Sequence, residues 1–353
     1  MPYPYVAPPF TAAIEVDPDL GNSADSSYAS SGYDTSAGSL NNTVNDYVFE
    51  NGRRYHVYFG ADKNFLPTDE REQDRMDLHH EILLRLLNDE LHTAPLKDPE
   101  YILDVGTGTG IWAIDMAERH PNATVLGIDL SPIQPSWVPQ NCKFDVDDIE
   151  KPWTFPDDTF DFIHFRNLNQ GISRWGVVLR EAFRCLKPGG YVEIAETRVG
   201  MYSDDGTMAD DNAAKVFCEK LAEALAITGR PVPKQGDLDN MLLTAGFVDI
   251  TPRNVKHPWG PWPKEKRLKE VGMMMLLQGE TAFSSYGMAA FTRILGYSTE
   301  EAQKFCDEAY ASTKNKNCHM HSIHYIAYGR KPETDGEGTM DDCSEEQEME
   351  YGG

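Results

Sequence analysis

Tyr101-Ile102-Leu103-Asp104-Val105-Gly106-Thr107-Gly108-Thr109-Gly110-Ile111-Trp112-Ala113 decides the fold of this chain. An apolar run ends in three alternating glycines and passes directly into a helical apolar pattern, so a strand, a tight turn and a helix follow one another. Glycines in such a turn accept positive φ and let a ligand approach the backbone without a Cβ in the way. A dinucleotide fingerprint would need G-x-G-x-x-G. Here Gly110 comes one position early and Ile111 fills the slot that pattern reserves for glycine.

Strands and helices alternate outward from this point. Ile111 to Arg119 reads as a helix stopped by Pro121, followed by strands over Thr124–Ile128, Lys143–Val146 and Phe160–Phe165. A helix over Val177–Leu186, the turn Lys187-Pro188-Gly189-Gly190 and a strand over Tyr191–Ala195 come next. Upstream, Thr68 is the expected cap of a helix whose first turn carries Asp69 and Glu70. Downstream, helices are expected near 211–228, 237–245, 264–279 and 299–312. Strand candidates at Phe247–Val255 and His321–Tyr328 can close the sheet as an antiparallel edge. The alternation predicts a doubly wound, mainly parallel sheet with helices on both faces and extra helices in the C-terminal half.

Acids stand where such a sheet meets its ligand. Asp129 ends the second strand, nineteen residues after Gly110, and an ionised carboxylate there can accept from both ribose hydroxyls. Asp147-Asp148-Ile149 ends the next strand.

The glycine spacing with an acid at Asp104 resembles the first motif of class I methyltransferases, where the loop wraps the amino-acid end of S-adenosyl-L-methionine. The resemblance assigns cofactor contacts to Asp104, Gly106, Thr107, Gly108, Gly110, Asp129 and Leu130. It places the adenine at Asp147, Asp148 and Ile149, with Asp147 favoured by its spacing to Pro152-Trp153. It also makes the seven-stranded Rossmann-like fold the expectation. Further words sharpen the match: Tyr55-His56, Asp69 to Arg75, Asp129-Leu130-Ser131-Pro132, Gly260-Pro261-Trp262-Pro263 and Tyr328-Gly329-Arg330-Lys331-Pro332. Over about residues 46–332 the chain looks like the fungal LaeA-like methyltransferases. That family implies a role in secondary metabolism or its developmental regulation, in the nucleus or cytoplasm. It implies a small-molecule or protein methyl acceptor, and a velvet-type or related methyltransferase protein as a partner. A cofactor-binding regulatory protein whose turnover is secondary is the alternative.

The formal charge is −25 over 353 residues. Residues 1–45 carry five carboxylates and residues 332–353 nine, with no Lys or Arg in either; −11 is left for the stretch between them. Such a surface repels phosphate backbones, which argues against direct nucleic-acid binding. Both ends are expected to be disordered, with residues 46–332 as the folded domain. The basic run Lys264 to Lys269 reads as a solvated helix face. No apolar run reaches the roughly 18–20 residues of a membrane span. Six cysteines without CxxC spacing, and no basic-then-apolar leader, suit a reducing compartment.

Methyl transfer needs positioning and, for a hydroxyl or amine acceptor, a base. His164, Arg166 and Asn167 at the end of the fourth strand are the candidate catalytic residues, and Glu196 ends the fifth. His164 is either a base or a strand histidine with a satisfied hydrogen bond. Tyr55, His56 and Tyr58 are either a lid or surface packing. Met273 to Leu277 reads as core or a pocket wall. Cys318, His319, His321 and His324 do not converge at strand period, so no metal site is expected.

Overall fold

The computed structural model describes residues 12–18, 46–234 and 236–333. The acidic C-terminal end and most of residues 1–45 lie outside these. The first strands are a hairpin, β1 (Tyr47–Glu50) and β2 (Arg53–His56), turning at Asn51-Gly52, both with positive φ. The alternation within it is too short to have been read from sequence.

Helix α1 (Glu70–Leu86) starts one residue later than expected: Asp69, and not Thr68, caps it, accepting from the Glu72 amide at 3.0 Å. Then follow β3 (Tyr101–Val105), α2 (Ile111–Arg119), β4 (Thr124–Asp129), β5 (Cys142–Val146), β6 (Phe160–Arg166), α3 (Trp175–Cys185) and β7 (Leu186–Thr197). Beyond them lie α4 (Ala213–Ile227), α5 (Asp237–Ala245), β8 (Val248–Pro258), α6 (Lys266–Ala289), α7 (Thr299–Thr313) and β9 (His321–Arg330). Helix α6 runs ten residues past the expected end, through Gly279 and into a π-helical turn at Ala290–Ile294. Gly279 is no terminator; a Cβ there would sit 2.8 Å from Trp259, so the glycine lets two elements approach.

The seven strands lie in the order β5-β4-β3-β6-β7-β9-β8. β3 to β7 are parallel, and β9 and β8 complete the sheet in antiparallel pairing. Neighbouring residues of one strand feed opposite layers. Leu103, Ile163 and Phe165 pack with Val178, Leu179 and Ala182 of α3 and Leu238 and Leu242 of α5. Ile102 and Phe162 pack with Trp112, Ala113 and Met116 of α2. Burial on both faces explains why the strands read as continuous apolar runs. A further layer of α1, α4, α6 and α7 forms its own core around Phe217, Phe283, Phe291 and Met288.

Residues 12–18, expected to be disordered with the rest of the N-terminal end, are held instead. The Asp17 amide donates to the Trp262 carbonyl and the Lys264 amide to the Glu15 carbonyl. Lys264 pairs with Glu15 at 2.8 Å, and Lys269 pairs with Asp17. The basic run thus serves as a clamp on an acidic segment of the same chain. The five cysteines among the described residues are buried and unpaired, and no described helix is long and apolar enough to cross a membrane.

Candidate functional site

Because β4 and β5 lie to one side of β3 and β6 to the other, the carboxyl ends of β3 and β6 flank a topological switch point, where open α/β sheets bind ligands. The glycine loop sits there. Its first turn is fixed by the Gly106 and Thr107 amides donating to the Ile128 carbonyl at 2.8 and 3.0 Å. Thr107 donates its hydroxyl to Asp104 at 2.6 Å. The Gly108 amide donates to Asp129 Oδ2 at 2.8 Å, and the Ser131 amide to Oδ1 at 2.9 Å. Asp129 is thereby aimed along the loop, with each oxygen keeping acceptor capacity. Burial raises its pKa, against the two amide hydrogen bonds that lower it.

A cleft of about 1270 Å³ is lined by Asp104, Gly106, Thr107, Gly108, Asp129 and Leu130, together with Asp147, Asp148 and Ile149. Gly110 alone among the expected cofactor residues does not line it. With φ +82 it opens α2, and an added Cβ would lie 2.7 Å from Phe144 Cε1. Its role is to admit the Phe144 ring. The two neighbouring acids are also separated. Asp148 is spent on Lys63 at 3.1 Å and on the Glu150 amide at 3.0 Å. Asp147 accepts only its neighbour's amide, at 2.7 Å.

Lys63, missed in the sequence, ties the stretch after the hairpin to this wall through Asp148 and Glu150. Glu150 also accepts from the Ser173 amide and hydroxyl and the Arg174 amide. Burial would raise its pKa, but the hydrogen bonds from Ser173 and Lys63 bring it down to about 2. Lys63, Asn64, Leu66, Pro67 and Thr68 border the cleft, whereas Tyr55, His56 and Tyr58 do not. Tyr55 is core against Phe65 and Ala289, so the packing reading holds for it over a lid.

The structure divides the three catalytic candidates. His164 is 1% exposed and does not line the cleft. Its Nδ1 meets Asp104 Oδ1 at 2.9 Å, and its ring stacks on Trp112 at 3.8 Å between centroids. Alternation along β6 turns it under the loop, where it holds Asp104; it is not placed as a base. Arg166 and Asn167 do line the cleft. Arg166 donates to His80 Nδ1 at 3.0 Å, and since arginine only donates, His80 carries its proton on Nε2, facing Asp115 at 2.9 Å. Asn167, at φ +56, accepts from the amide and hydroxyl of Thr197. Glu196 is buried beneath the same turn, accepts from the Leu168 amide at 2.7 Å, and has its pKa pushed up by burial to about 8.

A second cavity of about 760 Å³ adjoins the first. His79, Asn167, Gln170 and Tyr286 line both. His79 and Gln170 are buried with no hydrogen-bond partner on any side-chain nitrogen or oxygen. Met275, from the methionine run, forms part of the second cavity's wall, while Met273 is exposed. Sequence reasoning missed His79, Gln170 and Tyr286; only the amphipathic pattern of α1 offered a signal, and it marked His79 merely as inward-facing. His319 meets Asp205 at 2.6 Å and His324 meets the Thr197 hydroxyl at 3.0 Å.

A family model described as a methyltransferase domain matches residues 76–251. The chain is 42% identical over 271 residues to Methyltransferase pytC of Aspergillus terreus, spanning 76% of this chain and 83% of that protein. It is 35% identical over 286 residues to the secondary metabolism regulator laeA of Aspergillus flavus, spanning 80% and 77%. The protein-methionine methyltransferase laeA of Emericella nidulans is 34% identical over 297 residues, spanning 83% and 79%. With its glycine loop at the switch point of a seven-stranded sheet, the chain belongs to the fungal LaeA-like methyltransferase family.

Proposed function

We propose that the cleft binds S-adenosyl-L-methionine and that the chain passes its methyl group to a small-molecule or protein acceptor, within fungal secondary metabolism or its developmental regulation. The observation that carries this is Asp129. Two backbone amides fix its carboxylate at the cleft wall while leaving a lone pair on each oxygen for the two ribose hydroxyls. Gly106 and Gly108, both at positive φ, shape the loop that takes the amino-acid end, and the bare Cα of Gly106 admits Leu168 beside it. Asp147, the less committed of the two acids, faces the adenine amine, with Ile149 against the ring. When bound, the cofactor supplies an activated methyl on a sulfonium sulfur. The protein's share is then to align the acceptor and exclude water.

Several relatives are named secondary metabolism regulators; our reading extends to a nuclear or cytoplasmic protein that also meets a velvet-type or related methyltransferase partner, which pull-down from nuclear extract tests. For the cofactor, calorimetry with S-adenosylhomocysteine is decisive. Asp129→Ala should weaken binding by about 10²–10⁴-fold, two hydrogen bonds to a charged acceptor being worth about 1.5–3 kcal/mol each. Binding of NAD without binding of S-adenosylhomocysteine refutes the proposal.

A further inference from the structure

The second cavity is walled by residues of the helical core. Phe217, Leu221, Trp259, Met275 and Phe283 are each no more than 6% exposed, so an occupant lies against apolar side chains of the core. Where the cavity meets the cleft, His79 and Gln170 stand buried and without partners. An unpartnered buried amide and imidazole each carry a desolvation cost that a ligand heteroatom between the cavities would remove.

We infer that the acceptor is an apolar small molecule held in this cavity, and that His79 takes the proton from its reacting hydroxyl or amine. This rests on the reading of the neighbouring cleft as the S-adenosylmethionine site. As the acceptor oxygen or nitrogen takes the methyl carbon, the carbon–sulfur bond breaks and its electron pair stays on sulfur, leaving a neutral thioether. The acceptor's proton passes to an imidazole nitrogen of His79. Gln170 orients the heteroatom. His79 is neutral before the reaction: burial lowers its pKa well below the ordinary histidine value, and the Arg75 guanidinium of α1 and that of Arg166 of β6 press the same way, with neutral His257 of β8 and His324 of β9 and with Tyr286 of α6 alongside.

The test uses the full chain, S-[methyl-³H]adenosylmethionine and an extract of a strain lacking the gene, with label counted separately in the organic-solvent-soluble and protein fractions. Label is expected in the organic fraction. Ala282→Trp, which fills the cavity, should abolish it, and the milder Ala282→Leu should reduce it; both should leave S-adenosylhomocysteine binding unchanged. In a readout without turnover, the probe 1-anilinonaphthalene-8-sulfonate should bind once per S-adenosylhomocysteine-loaded chain and lose its site in Ala282→Trp. His79→Gln should cut transfer by about 10²–10⁴-fold when measured at saturating S-adenosylmethionine. The wild-type rate should stay level through pH 6.5 and fall only in more acid solution, a limb that His79→Gln lacks. Label confined to protein, or absent from both fractions while S-adenosylhomocysteine still binds, overturns the inference. So does His79→Gln at full rate. Failure to bind S-adenosylhomocysteine at all overturns the cofactor reading instead.

Discussion

Substituting Gly110 by alanine separates two demands that the glycine loop makes on one residue. The first is backbone: at φ +82 an L side chain costs about 1–2 kcal/mol. The second is space. The new Cβ would stand 2.7 Å from Phe144 Cε1, on the edge of the ring that Gly127 also borders, where a Cβ would lie 2.6 Å from Phe144 Cδ1. Overpacking of this kind costs about 1–3 kcal/mol, so Gly110→Ala should lose about 2–5 kcal/mol altogether. At about 2–4 °C per kcal/mol in a domain of this size, the melting temperature should drop by about 4–20 °C. Phe144→Leu in the same chain should return the steric part and leave the backbone part. Urea titration of the four proteins gives the coupling energy. A Gly110→Ala loss below about 0.5 kcal/mol, or strict additivity with Phe144→Leu, would refute the reasoning.

Glu196→Gln tests the buried acid below the site. Its folded pKa of about 8 lies above the usual carboxylate value, so its contribution to stability is complete below about pH 4.5 and is lost as pH rises through about 8. The wild type should therefore weaken across that window by up to about 1.4 kcal/mol per pH unit relative to Glu196→Gln, as read by denaturant midpoints at each pH. His164→Phe keeps the stack on Trp112 but deprives Asp104 of a donor, and should cost about 1–3 kcal/mol. The pH profile of methyl transfer should not move; a shifted acid limb would restore His164 as a base. Removing residues 1–18 strips Glu15 and Asp17 from Lys264 and Lys269; the first pair is exposed and the second partly buried, so the loss should be about 1–2 kcal/mol, measurable as a fall in melting temperature.

The strand–loop–helix core was legible because each of its signals is local. Apolar runs buried on two faces, glycines at positive φ and acids at strand ends all declare themselves within a few residues. Gly110 shows the limit: its spacing distinguished the loop from a dinucleotide fingerprint, yet its physical reason is Phe144, thirty-four positions away. His164 could not be assigned a face from sequence because both faces of β6 are covered by apolar layers, which erases the alternation that would have said which way it points. The seam between the cavities was beyond reach for a different reason. His79, Gln170 and Tyr286 come from α1, the turn after β6 and α6, and no periodicity joins them.

The placement of β9 between β7 and β8 bears on how the protein can be made. The glycine loop is complete by residue 110, but β7 has an open edge and β8 has no neighbour until residues 321–330 have been synthesised. During translation the 123 residues between Thr197 and His321 are made while β7 stays unpaired, the kind of edge that invites pairing with a second chain. Chains cut before His321 should therefore fail by aggregating, even though every residue around the glycine loop is present.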